Sequence, residues 1–396
     1  MPWLSRLSVV VGALLVPVLA RADEPRLAPV LKPFVDQGVL AGAVVLVATP
    51  ERVLDLEAVG YSDVVDKIPM KTDALFWIAS MSKPMTATAL MMLVDEGTIA
   101  LDDPVEKYLP EFHNQMVVAE KTPDRLVLTK PKHPITIREI LSHTSGLVTR
   151  SPIEKTLDSI SLREGVITYA LSPLQFEPGT RYEYCNAGIN TAGRLIEVVS
   201  GLAYEDFLRR RLLDPLGMKD TTFWPSQAQV ERLAKSYQPD KSGKTLVELK
   251  IDQLAYPLTN RKRHPYPAGG LFSTATDVAL FCRMILQGGH FEGRRYLSEK
   301  AVREMTSTQT GTLINKGQGE GGYGLGWSTS RMSRDPSGPA ILGTCGHGGA
   351  YATNMEIDPK QGLVLVYMVQ HAGYPGGNGG AIWGAFHKAA YKAFAH

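Results

Sequence analysis

The hydrophobic pattern gives the two ends of the chain the same signature. Ala41 to Ala48 and Val53 to Gly60 are short runs rich in β-branched residues, separated by Pro50 and Glu51, which predicts a hairpin. Ala352 to Ile357 and Leu363 to Val369 flank the turn sequence Asp358-Pro359-Lys360-Gln361-Gly362, and an apolar periodicity of helical spacing runs from Ala381 to Phe394. Between them, helical patterns cover Ile135 to Ser142, Asn190 to Val199, Tyr204 to Leu213 and Ala275 to Leu286. The economical architecture is α+β: an antiparallel sheet built from N- and C-terminal segments and flanked by helices, with a mostly helical region inserted. The expected division is residues 23–105 with 265–396 for the sheet domain and 106–264 for the helical one. Polar stretches at Glu120 to Lys132, Pro239 to Lys250 and Gln309 to Gly322 read as surface excursions.

Residues 1–22 read as a secretory signal. Arg6 precedes an apolar run from Leu7 to Ala20, and Ala20-Arg21-Ala22 offers a small-x-small cleavage site. The run is shorter than the roughly 20 residues a spanning helix needs, and no other stretch is long and apolar enough. The expected location is therefore periplasmic or secreted, with no integral membrane span after cleavage. The formal charge of +2 includes Arg6 and Arg21, so the mature chain is neutral. That balance argues against a nucleic-acid partner, which calls for an excess of Lys and Arg. Cys185, Cys282 and Cys345 are an odd, scattered set without zinc-ligand spacing, so neither a disulfide scaffold nor a metal is expected, while one pair could form after export.

Candidate chemistry begins at Ser80-Met81-Ser82-Lys83, the only Ser-x-x-Lys in the chain, which opens an apolar helical stretch ending at Gly97. Residues three apart on a first helical turn share a face, which brings an amine to a hydroxyl that is otherwise a poor nucleophile. A helix N-terminus adds N–H groups facing developing negative charge. Tyr182-Glu183-Tyr184-Cys185-Asn186 holds the only Tyr-x-Asn. With a reference pKa of about 10, a tyrosine serves as a base only where cations stabilise its phenolate, and Lys83 is the candidate. The Asn186 amide has both donor and acceptor for the lysine or for substrate. Gly346-His347-Gly348-Gly349-Ala350 leads into the strand-like run at Ala352. Its glycines permit close approach of a ligand, and the Ala350 N–H can complete an oxyanion hole with that of Ser80.

Ser80-x-x-Lys83, Tyr184-x-Asn186 and His347-Gly348-Gly349, in this order, resemble class C β-lactamases, family VIII carboxylesterases and the related D-Ala-D-Ala carboxypeptidases. Phe76-Trp77-Ile78-Ala79, the segment Ile137 to Leu147, and Gly269 to Thr274 with Asp277 agree with that superfamily. The resemblance implies the same α+β fold, Ser80 as nucleophile, Lys83 and Tyr184 as its base pair, no cofactor, and a structural role for His143. Class C enzymes usually carry Lys-Thr-Gly where this chain has His347-Gly348-Gly349. A permanent ammonium and a hydroxyl that would hold a substrate carboxylate are absent, and histidine is only partly charged near neutral pH. The expectation is a small-molecule ester substrate. The alternatives are a β-lactam or D-amino-acid peptide held by a carboxylate clamp from the Arg261 to Arg263 segment, and a non-catalytic penicillin-binding-like sensor. No Gly-x-Ser-x-Gly elbow is present. Arg261 to His264 otherwise reads as a solvated loop, Gly376 to Gly380 as a flexible connection, and Trp327 and Tyr351 as either core or acyl-pocket residues.

Overall fold

The computed structural model describes residues 27–314, 321–330 and 343–395, so the signal-peptide segment lies outside the described residues. Eight strands form one sheet. In chain order they are β1 Gly42–Ala48, β2 Val53–Asp63, β3 Ile68–Pro69, β4 Gly322–Tyr323, β5 Ser328–Thr329, β6 Cys345–Gly348, β7 Asn354–Asp358 and β8 Leu363–Met368. In space they run β4-β5-β6-β7-β8-β1-β2-β3, every pairing antiparallel. The expected junction of the two chain ends is the β1–β8 ladder, where Val45 stands opposite Tyr367.

β1 is buried along its whole length because both sheet faces are covered. Ala43, Val45 and Val47 pack with Leu365 and Tyr367 against α1 (Ala28–Asp36) and the C-terminal helix Gly379–Phe394. Val44 and Leu46 face the larger core, which takes in α2 (Ser82–Asp95), α3 (Ile137–Leu141), α4 (Leu162–Leu171), α5 (Asn186–Ser200) and α6 (Ala275–Leu286). The strand alternation thus sorts two apolar faces rather than one apolar and one polar. The pattern Tyr204 to Leu213 begins as an α-helix to Leu208 and continues as a π-turn from Arg209 to Leu213. Two of the polar excursions form two-stranded ribbons, Val117–Lys121 with Leu126–Thr129 and Ser236–Pro239 with Leu246–Leu249.

Two local devices fix the helical layer beside the sheet. Thr136 and Glu139 form a reciprocal capping box that starts α3. Gly188 on α5 lies so close to α3 that a Cβ there would stand 2.3 Å from the Ile140 carbonyl oxygen. Only glycine permits this crossing, and it brings the N-terminus of α5, with Tyr184 just ahead of it, against the segment after α3.

Candidate active site

Ser80 lies in a 3₁₀ turn, Ala79–Met81, that runs into α2, rather than in the α-helix itself. Side chains three apart nearly eclipse in a 3₁₀ turn. The Lys83 ammonium accordingly donates to Ser80 Oγ at 2.9 Å and to the Ala268 carbonyl at 2.6 Å. Ala79 has φ +44°, a left-handed conformation that is strained for a residue with a Cβ and sits immediately before the serine. The turn is clamped from outside. Phe76 and Trp77 pair with Ser273 and Phe272, Trp77 Nε1 donates to the Gly269 carbonyl, and the Leu271 N–H donates to Ser82 Oγ. The Gly269 to Thr274 segment thereby aims the Ala268 carbonyl at Lys83.

Lys83 is fully buried, and loss of hydration pulls its pKa down to about 7. Its Nζ stands 4.8 Å from the centre of the Tyr184 ring. Burial raises the Tyr184 phenol well above its ordinary value, outweighing an interaction with the Ser80 hydroxyl that favours the phenolate. Burial thus favours the protonated tyrosine and the uncharged lysine. The expectation of a Tyr184 phenolate stabilised by a Lys83 cation runs the other way, because burial, which the sequence does not give, disfavours the charge on both groups.

His143 supports the tyrosine from behind. It has φ +60°, its Nδ1 accepts from the Cys185 N–H at 3.3 Å, and its ring lies 4.5 Å from those of Tyr184 and Tyr323. Burial holds His143 well below the usual histidine range, so it stays neutral. Asn186 begins α5 and its N–H donates to the Thr149 carbonyl. Cys185 is a buried free thiol pushed up to about 11 by burial, and Cys282 and Cys345 are free and buried as well.

His347 points into the protein from β6. Its Nδ1 is 2.7 Å from the Gly348 carbonyl and its Nε2 is 2.9 Å from the Tyr323 hydroxyl. At Gly349 the end of this strand runs close against the turn that carries the serine, since a Cβ there would stand 2.1 Å from Thr353 Oγ1 and 2.7 Å from the Ile78 carbonyl oxygen. This approach sets Gly348, Gly349 and Ala350 against the residues that lead into Ser80. Ala350 is exposed, and its N–H donates to no carbonyl among the described residues of the surrounding turns.

Other sequence features resolve into structure. Arg263 is buried and paired with Asp158, so the solvated-loop reading fails there. Trp327 stacks on Phe281 in the core, and Tyr351 packs edge-on against Trp77 and donates to Asp252. The Gly376 N–H is tied to the Gly243 carbonyl in a 3₁₀ turn, so the glycine run is an ordered connection. Tyr323 and Ala268 adjoin the site without any motif to announce them. Tyr323 comes from β4 and Ala268 from the loop before Gly269, and only the fold assembles them.

The Beta-lactamase family description matches residues 27–387. Protein Rv1367c of Mycobacterium tuberculosis is 34% identical over 355 residues, covering 85% of this chain and 87% of that one. Esterase EstB of Burkholderia gladioli is 29% identical, covering 93% and 96%. Among solved structures, EstCE1, a hydrolase with promiscuous acyltransferase activity, superposes with a TM-score of 0.74 at 24% identity over 92% of this chain and 97% of that one, which supports the fold. The chain belongs to the beta-lactamase family of serine hydrolases.

Proposed function

We propose that the protein is an exported carboxylic-ester hydrolase acting through an acyl-enzyme on Ser80. The observation that carries this reading is the 2.9 Å contact between Ser80 Oγ and a buried Lys83 whose pKa lies at about 7. Near neutral pH a large fraction of Lys83 is a free amine within reach of the hydroxyl proton, which is what a serine nucleophile needs.

In the acylation step Lys83 takes the Ser80 proton as Oγ attacks the ester carbonyl. The N–H groups of Ser80 and Ala350 receive the oxyanion. Collapse breaks the bond to the alcohol, whose oxygen takes a proton passed from Lys83 through the Tyr184 phenol. Water then gives up a proton along the same route, attacks the acyl carbon and restores Ser80 Oγ–H as the acid leaves. The Asn186 amide holds Lys83 or orients the ester.

Ester preference rests on what the site lacks for an anionic substrate. His347 is engaged by Tyr323 and Gly348, and Arg263 is engaged by Asp158. Likeness to esterase EstB favours the same substrate class. The test is steady-state hydrolysis of a short-chain p-nitrophenyl ester and of nitrocefin by the wild type and Ser80→Ala. Ester turnover that exceeds lactam turnover and disappears with Ser80→Ala is expected. Dominant nitrocefin turnover would make it a lactamase, a single burst a sensor, and activity surviving Ser80→Ala would overturn the mechanism.

A further inference from the structure

The strand that closes the junction of the two chain ends finishes on a polar side chain. β8 is buried and apolar from Leu363 to Met368 and continues through buried Val369, yet the next residue, Gln370, is only 2% exposed. A buried amide is costly unless its donors and acceptor are engaged. Gln370 Nε2 donates to the Trp77 carbonyl at 3.0 Å, and its Oε1 accepts from Ser236 Oγ at 3.3 Å. A carbonyl only accepts, so the bond to Trp77 fixes which end of the amide faces the serine turn. The backbone here is equally committed. The Gln370 carbonyl accepts from the Tyr237 N–H at 2.8 Å, and the His371 N–H donates to the Tyr351 carbonyl at 3.0 Å.

Two consecutive residues thus hold both segments that carry the oxyanion donors of the mechanism above. Trp77 precedes Ser80 with only Ile78 and the left-handed Ala79 between them. Tyr351 follows Ala350 in a turn closed by the Gly349 N–H on the Thr353 carbonyl and the Ala352 N–H on the Gly349 carbonyl. The two segments also meet directly, through the edge-on contact of the Trp77 and Tyr351 rings at 5.1 Å. Their anchor is itself fixed. Burial pulls His371 down to about 4, so its ring is neutral, and Nε2 accepts from the Ala41 N–H at 3.1 Å just ahead of β1. Tyr374 stacks on the other side of that ring at 4.5 Å.

We propose that Gln370 is a positioning residue for the oxyanion hole, setting the spacing of the Ser80 and Ala350 N–H groups from one anchor at the end of β8. The inference rests on the acyl-enzyme reading above. An oxyanion hole is effective because its donors already stand where charge develops and need no rearrangement. Both donor segments include a strained residue, Ala79 at φ +44° and Ala352 at φ +64°, and such conformations persist only where the surroundings impose them. The bonds to the Trp77 and Tyr351 carbonyls supply that constraint. Without the Gln370 amide, Tyr351 remains tied to His371 while Trp77 loses its tie, so the two donors no longer share a reference. Because Gln370 acts through Trp77, its effect falls on the transition state rather than on binding of the ester.

The test compares an aryl ester with its thionoester, in which sulfur replaces the carbonyl oxygen and nothing else changes. Sulfur is larger and a weaker hydrogen-bond acceptor, so donors held at the spacing for oxygen reject it. For the wild type, kcat/KM should favour the oxygen ester well beyond the preference shown by hydroxide in solution. Gln370→Met is expected to lower kcat on the oxygen ester about tenfold or more with KM little changed, and to reduce the ratio of the two kcat/KM values by a similar factor. Both rates come from one sample, so the ratio does not depend on how much of the variant folds. Ser236→Ala, which frees the other end of the amide, should move the ratio in the same direction by a smaller factor, and it replaces Gln370→Met if that variant does not fold at all. An unchanged ratio would overturn the proposal whether or not the rates fall, since a merely structural glutamine slows both esters alike. A wild type that hydrolyses neither ester, or that prefers oxygen no more than hydroxide does, would instead remove the reading on which the proposal rests.

Discussion

Asp158 and Arg263, separated by 105 positions in the chain, meet in an ion pair of 2.6 Å with side chains 1% and 3% exposed. Arg263 also donates to the carbonyls of Phe223 and Leu258, and Asp158 Oδ1 accepts from Thr156 and from the Ala255 N–H. The pair joins the loop after α3 to the loop before Gly269, the two segments that flank Ser80 and Lys83.

Breaking that pair from one side strands the other charge. Arg263→Met is expected to destabilise the protein by about 3–5 kcal/mol, whereas Asp158→Leu/Arg263→Met together cost less than the sum of the single changes. Denaturant unfolding of the four proteins of this cycle gives the coupling directly. Additive losses would mean that the hydrogen bonds to backbone, and not the ion pair, hold the loops.

Lys83 predicts opposed effects on activity and stability. Its proton is lost near pH 7 in the folded protein and near 10.5 in the unfolded chain. Between these values the unfolded state binds more protons, so the Lys83 contribution to stability rises with pH. Below pH 7 both states carry the charge and the cost of burying it is fully present. Lys83→Met should abolish turnover and raise stability at pH 7 by a few kcal/mol, less the lost bond to Ala268. The gain in Tm should shrink as the pH approaches 10. A variant less stable than the wild type at pH 7 would refute it.

The same titration sets the pH profile. For a neutral ester, kcat/KM should rise through about pH 7 as Lys83 becomes a free amine. Tyr184→Phe should lower kcat by roughly 10²–10⁴ without moving this acid limb, because the phenol carries a proton on both sides of it. An acid limb displaced by the substitution would assign the titration to the tyrosine.

Gly349→Ala would drive a Cβ into Thr353 Oγ1 and the Ile78 carbonyl. The expected result is a loss of kcat of about tenfold or more, since displacing the strand end moves an oxyanion donor relative to Ser80. Gly348→Ala is the control, because the nearest atom to its Cβ would be the Thr353 carbonyl oxygen at 3.7 Å. Equal activity in the two variants would separate this segment from oxyanion binding.

The chain alone specifies the sheet built from both its ends, because runs such as Val44 to Val47 and Leu363 to Val366 are apolar on both faces and suit only a covered strand. It also determined the approach of Ser80 and Lys83, which is local and follows from helical spacing, whether the turn is α or 3₁₀. Helix limits moved by a few residues, as at Thr136, where a capping box won over apolar periodicity. Tertiary structure alone decided which site group is charged. Burial, a quantity set by α2, by the loop carrying Ala268 and by β4 with Tyr323, brings Lys83 down to about 7 and holds Tyr184 still more firmly in its ordinary protonated form. It alone made Arg263 structural and buried the Glu154 carboxylate. Both look like ordinary surface charges in the chain, and each acquires its meaning from surroundings supplied by residues distant in sequence.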